Sequence, residues 1–163
     1  MIEQDYGRII FISSISGLMV NPFSGPYSSS KFAIEAIAKT FSQELQEFNI
    51  EVATINPGPF LTGFNDEEFE KYRTWNDQAD TRIFNYKNLA FPFPQLNPKK
   101  AIVPIVKVIL GKTKTYRNLV PRGLSAGIFL QETYQWFDRV NCRIGKRHSL
   151  VTQSNLMRPA SKI

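Results

Sequence analysis

The sequence predicts an α/β fold, part of a doubly wound parallel sheet in which a few strands alternate with flanking helices. Two apolar runs rich in β-branched residues, Ile9-Ile10-Phe11-Ile12 and Val52-Ala53-Thr54-Ile55, have the composition of strands covered on both faces. Between them, residues 26–48 carry apolar side chains at spacings of three and four, the period of a helix. Each run also ends in a Ser-, Gly- or Pro-containing loop, and ligands of open α/β sheets bind outside the carboxyl ends of strands.

Residues 8–13 form the first expected strand, which reads as a central one, and the loop after it holds the turn signals Asn21-Pro22 and Gly25-Pro26. The helix over 26–48 has two stripes. Ile34, Ile37, Phe41, Leu45 and Phe48 form one; Phe32, Ala33 and Ala36 add a neighbouring face, which points to contact with another helix or subunit. Residues 50–55 read as the next parallel strand, ended sharply by Asn56-Pro57-Gly58-Pro59. From 66 to 93 the pattern is irregular, with short helices expected. A helix over 97–110 follows, with Pro98 in its first turn and Ile102, Ile105, Val106 and Ile109 as its buried side. A short strand over 117–121 and a last helix over 125–140 complete a domain spanning 1–140, and 141–163 reads as a basic, disordered tail.

The chemistry gathers around the first loop and helix. Tyr27 and Lys31 stand four apart, so a helix stacks a phenol and an ammonium on one face. Ser14 lies thirteen residues before Tyr27, at the open end of the strand. A proton donor, a cation beside it and a hydroxyl to orient a carbonyl are the parts of a general acid–base site. A phenol with an ordinary pKa of about 10 is a weak base near neutrality, and a neighbouring cation favours its ionised form. Ser14 would donate a hydrogen bond to the substrate oxygen. The plainer readings are Tyr27 as a helix-entry aromatic, Lys31 as a snorkelling cation and Thr62 as a helix cap. Ser13 is expected on the opposite face of the strand, and His148 is a lone histidine of the tail.

Three segments in order resemble the active-site half of the short-chain dehydrogenase/reductase family: Ile12-Ser13-Ser14 with Gly17, Tyr27-Ser28-Ser29-Ser30-Lys31, and Asn56-Pro57-Gly58 with Thr62. The match is close over 7–62 and thins to general shape by about residue 139. The resemblance implies a Rossmann-like sheet, here roughly its last three strands. It implies hydride transfer between NAD or NADP and a small-molecule carbonyl or secondary alcohol, with Ser14, Tyr27 and Lys31 catalytic. Tyr27, Lys31, Pro57, Gly58, Phe60 and Thr62 would bind the nicotinamide end, with Lys31 on its ribose. The family's T-G-x-x-x-G-x-G pyrophosphate turn, N-A-G segment and catalytic asparagine do not occur, so the amino-terminal cofactor-binding half is expected to be missing. The chain alone is then expected to be inactive. The alternative is a non-catalytic remnant or a partner-dependent fragment, and the family's helix-mediated homo-oligomer is expected only for a full-length parent.

Other classes fit less well. The net charge of +6 comes from lysines and arginines dispersed over the chain, with only Lys146-Arg147-His148 contiguous, so no nucleic-acid partner is expected. No run of eighteen apolar residues occurs, so nothing spans a membrane, and the acidic start does not resemble a signal peptide. The single Cys142 excludes an internal disulfide and fits a reducing cytoplasm. Ser28-Ser29-Ser30-Lys31 matches S-x-x-K without its S-D-N or K-T-G companions, and Gly111-Lys112-Thr113 lacks the earlier glycine of a P-loop, where Val106 stands. No cysteine or histidine cluster points to a metal.

Overall fold

The computed structural model describes residues 1–74, 89–91, 93–124 and 152. Three parallel strands form one sheet in the order β1 (Gly7–Ile12), β2 (Ile50–Pro57), β3 (Arg117–Val120). Helix α1 (Gly25–Glu44) connects β1 to β2; α2 (Phe64–Thr74) and α3 (Lys99–Ile109) lie between β2 and β3. β1 pairs with β2 from Gly7 opposite Ile50 to Ile12 opposite Ile55, and β2 pairs with β3 from Thr54 opposite Arg117 to Pro57 opposite Val120. The α/β parallel sheet expected from the apolar runs is therefore present, with each strand within two residues of its expected place.

The composition of β1 reads as that of a central strand, and without the segments the family resemblance places beside it one edge of this strand is expected to be uncovered. β2 is buried on both faces from Val52 to Asn56, whereas β1 lies at an edge of the described sheet, its residues half-buried and Ile12 exposed. A continuous apolar run marks a strand meant for cover on both sides, and among the described residues β1 has a partner on one edge only. Ala53, Ile55, Phe60, Ala101, Val108 and Val120 pack as one buried cluster, with Ile10, Leu96 and Ile105 against it. Phe69 and Leu89 form a second, flanked by Phe23 and Phe91.

The face of α3 is also corrected. Ala101 and Val108 are buried and Ile105 half-buried, but Ile102, Val106 and Ile109 are exposed. The lysines Lys99, Lys100 and Lys107 share one face, but the apolar arc opposite them is wider than the part the sheet covers, and Ala101, Ile105 and Val108 form its inner edge. The helix end is well defined. Gly111 has φ 67°, its amide bonds Val108, and the Lys112 amide reaches the Lys107 carbonyl, a Schellman closure that favours glycine at that position. Gly111 thus belongs to a helix terminus and not to a phosphate loop. In α1 the buried positions are Ser28, Glu35 and Ala38, while Phe32, Ile37 and Phe41 of the two expected stripes are exposed. The expected last helix over 125–140 and nearly all of the tail over 141–163 lie outside the described residues.

Arg8, Glu51 and Lys114 tie the three strands together at the end opposite the loops. Glu51 sits between Arg8 Nη1 at 2.8 Å and Lys114 Nζ at 2.6 Å, and the Arg8 guanidinium also bonds the Thr113 carbonyl. The Lys114 hydrogen bond and the two positive charges hold the Glu51 carboxyl below the usual carboxylate range.

Candidate active site

The carboxyl ends of β1 and β2 open onto a cavity of about 240 Å³. Ser14 follows β1 as the cap of a single 3-10 turn, Ile15–Gly17; its Oγ accepts the Ser16 amide at 3.1 Å, which leaves the hydroxyl hydrogen free to donate. Gly17 lets this turn press on α1, since a Cβ there would meet the Lys31 carbonyl oxygen and Ser13 Oγ at 2.8 Å. Tyr27 enters the cavity from the first turn of α1, where Pro26 occupies an early helical position, and its ring packs on Phe64 of α2 with centroids 5.4 Å apart.

Ser14, Tyr27, Pro57, Gly58, Phe60 and Thr62 all line this one cavity. Lys31 does not. Its Nζ lies 5.6 Å from the centre of the Tyr27 ring and 3.4 Å from the Ile12 carbonyl, beside the phenol but outside the lining. Ser13 lines the cavity too; it is buried, and its Oγ, which faces Gly17, has no hydrogen-bond partner among the described residues. Thr62 bonds back to the Phe60 carbonyl at 3.5 Å, and α2 begins only at Phe64, so no cap bond from Thr62 is formed. His148 lies outside the described residues.

Behind Ser14 is a polar clamp that sequence reasoning missed. Asn56, with no exposed surface, donates from Nδ2 to the Ser14 carbonyl at 3.2 Å and to Glu35 Oε1 at 2.6 Å, and accepts from Thr54 Oγ1 at 3.0 Å. Glu35 is only 8% exposed, and Arg117 Nη2 stands 3.5 Å from its second oxygen, an ionic contact too misaligned for a hydrogen bond. Burial and the nearby Glu35 push the Tyr116 phenol up. The signal in the sequence was faint but present: Glu35 follows Lys31 by four and Tyr27 by eight, a charge on the inward face of α1, and Thr54 and Asn56 share one face of β2.

The outer wall comes from further along the chain. Phe64, Asn65, Glu68 and Phe69 of α2, with Phe91 and Phe93, face the same cavity. Their spacing in α2, pairs one turn apart, is a helical face. Among the described residues Glu68 is the one charged side chain in the lining, and burial lifts its carboxyl above the usual carboxylate range. Among the described residues no group of histidine, cysteine, aspartate or glutamate is arranged to hold a metal, and no helix is long and apolar enough to cross a membrane.

A serine, a tyrosine and a lysine one turn on, at the carboxyl ends of parallel strands, define a class of protein, and comparison agrees with it. The family model described as short chain dehydrogenase matches residues 1–73. The chain belongs to the short-chain dehydrogenase/reductase family. It is 35% identical over 117 residues to a 3-ketodihydrosphingosine reductase of Bacteroides thetaiotaomicron, covering 70% of this chain and 44% of that protein. It is 31% identical over 145 residues to an NADPH-dependent 3-dehydrocapnine reductase of Ornithobacterium rhinotracheale, covering 77% of this chain and 50% of the relative. A short-chain dehydrogenase/reductase from Burkholderia phymatum, solved in complex with NAD, shares the fold with a TM-score of 0.54 at 18% identity, over 99% of this chain and 54% of that one. The chain spans about half the length of the curated relatives it matches.

Proposed function

We propose that this chain carries the proton-transfer site and the nicotinamide end of an NAD- or NADP-dependent oxidoreductase that reduces a ketone or oxidises a secondary alcohol. The observation that carries this is the convergence of Ser14, Tyr27, Pro57, Gly58, Phe60 and Thr62 on one cavity, with Lys31 against the Tyr27 ring. Both relatives described above are named as reductases of a keto or dehydro compound, which favours the reducing direction.

The residues fit the nicotinamide end of such a cofactor. Lys31 spends one long hydrogen bond on Ile12 and keeps donors for ribose hydroxyls, while Pro57, Gly58 and Phe60 wall the cavity and Thr62 offers a hydroxyl at its rim. When bound, the nicotinamide supplies or accepts the hydride. The chain's own groups handle the proton: the Tyr27 phenol gives it to the carbonyl oxygen, Lys31 favours the phenolate left behind, and Ser14 donates a hydrogen bond to the same oxygen. The clamp of Asn56 and Glu35 holds Ser14 in place through its carbonyl.

No T-G-x-x-x-G-x-G turn occurs in the sequence, so the chain depends for turnover with dinucleotides on a pyrophosphate-binding segment supplied from elsewhere, and alone it is inactive with them. The half-covered β1 edge and exposed Ile12, Phe32, Ile37 and Phe41 favour this partner-dependent reading. Calorimetric titration tests it. NAD and NADP should bind the chain in the millimolar range and no more tightly than nicotinamide mononucleotide, because recognition is confined to the nicotinamide end. Micromolar affinity for either dinucleotide would overturn the dependence on a second segment.

A further inference from the structure

Helix α3 carries two kinds of side chain on the surface it turns away from the sheet. Its inner stripe, Ala101, Ile105 and Val108, packs on β2 and β3. Five further aliphatic side chains do not: Ile102, Val103, Val106, Ile109 and, just after the helix, Leu110 are between 43% and 60% exposed. By helical periodicity Val103 and Leu110 lie opposite the buried stripe, with Ile102, Val106 and Ile109 on one flank and Lys100 and Lys107 on the other. Lys99 stands at the start of the helix and Lys112 just past its end, and all four lysines are exposed. None of the four makes an ion pair among the described residues. The charge here is also one-sided, because the sequence holds no acidic residue between Asp80 and Glu132.

Contiguous exposed apolar surface of this kind marks contact with another body, and the lysines decide which. A second copy seated on the same face would set lysine against lysine, with no carboxylate on α3 to offset them. A nucleic acid would satisfy the lysines but meet aliphatic side chains, which offer neither base-edge hydrogen bonds nor stacking. A bilayer with anionic headgroups suits both halves at once. The aliphatic strip enters the acyl boundary, and the lysines reach headgroup phosphates along their apolar stems.

We propose that α3 docks the chain on an anionic lipid surface, lying in the plane of the headgroups with Val103, Val106 and Leu110 inserted and Lys99, Lys100 and Lys107 among the phosphates. The helix has 11 residues, ~16 Å of rise, about half of a hydrocarbon core, so the contact is peripheral and reversible. This face is separate from the exposed residues of α1. Asn56 meets Glu35 of α1 on one side of β2, whereas Ala53 and Ile55, on the other side, pack with α3.

The test mixes the full chain with sucrose-loaded vesicles of phosphatidylcholine, alone or with phosphatidylserine as a third of the lipid, and reads co-sedimentation. Affinity for the anionic vesicles should exceed that for neutral ones about 10-fold or more at physiological salt. It should collapse near ~1 M salt, where the screening length is ~3 Å. Lys100→Gln and Lys107→Gln should each weaken anionic binding about 5-fold and Leu110→Ser about 10-fold, with the melting temperature unchanged because all three side chains are exposed. An affinity indifferent to headgroup charge, or one that survives Leu110→Ser and the paired lysine substitutions, would overturn the proposal. So would a lipid-free dimer in sedimentation velocity that Leu110→Ser dissolves, since a second copy would then occupy the face. Binding of duplex DNA that needs the lysines but not Leu110 would overturn it as well. None of these measurements involves nicotinamide or turnover, so their outcome is independent of the proposed reaction.

Discussion

Asn56→Ala removes the centre of the clamp behind Ser14. It removes three hydrogen bonds from a side chain with no exposed surface, those to the Ser14 carbonyl, the Glu35 carboxylate and the Thr54 hydroxyl. Two are neutral and one is charged; the Ser14 carbonyl keeps the Gly17 amide and Glu35 keeps Arg117, while the Glu35 Oε1 loses its hydrogen bond in a buried site, so the expected loss is ~3–5 kcal/mol. Urea unfolding followed by circular dichroism reads this directly: with a slope of ~2 kcal/mol per molar, the midpoint should fall by about 1.5–2.5 M. Glu35→Gln keeps an acceptor for Asn56 Nδ2 and should cost less than Glu35→Ala. Asn56 and Glu35 should also couple in a double-mutant cycle by ~1 kcal/mol or more, because each truncation removes the same buried 2.6 Å charge-assisted bond. A loss below ~1 kcal/mol for Asn56→Ala, or additive effects of the two positions, would refute the clamp.

Two further outcomes follow from local geometry. Gly17→Ala should destabilise the chain by ~1–3 kcal/mol in the same assay, because its Cβ would press on the backbone oxygen of Lys31, whereas Gly25→Ala, which meets nothing within 4 Å, should be neutral or mildly stabilising. The folded protein prefers Glu68 protonated, so its contribution to stability is present below the ordinary glutamate pKa and lost as pH rises through the raised one. Melting scans across pH should therefore show Glu68→Gln more stable than wild type near neutrality, with the difference vanishing below about pH 4; a variant less stable at neutral pH would contradict this.

The strands and α1 were legible because their signals are collective. Residues 9–12 are an unbroken apolar run and 52–55 an apolar and β-branched one, and a run of that kind has few alternatives to a strand between layers. The inner face of α3 was not legible, since Ile102, Val103, Val106 and Ile109 compete with Ala101, Ile105 and Val108 for the sheet, and only tertiary packing decides. The uncovered edge of β1 followed from the neighbouring segments that the family resemblance implies and the sequence lacks, whereas its composition records only what cover a strand wants. At the site, Ser14 and Tyr27 could be placed together from spacing, whereas Pro57 to Phe60 were singled out only by the family resemblance. Glu35 and Asn56 could not be picked out, because one polar residue in an apolar pattern looks like noise until its partner is seen 2.6 Å away. Phe91 and Phe93 belong to the cavity only through the path of the chain after α2, which no local pattern encodes.

The central claim is that a phenol, a serine hydroxyl and an ammonium act together on a carbonyl beside a nicotinamide. Ketone reduction by the chain at saturating reduced nicotinamide mononucleotide, which needs no pyrophosphate site, measures this most directly. Tyr27→Phe should lower the rate by ~10²-fold or more while mononucleotide affinity stays unchanged. A rate unaltered by Tyr27→Phe, or no reduction at all by the wild-type chain, would contradict it.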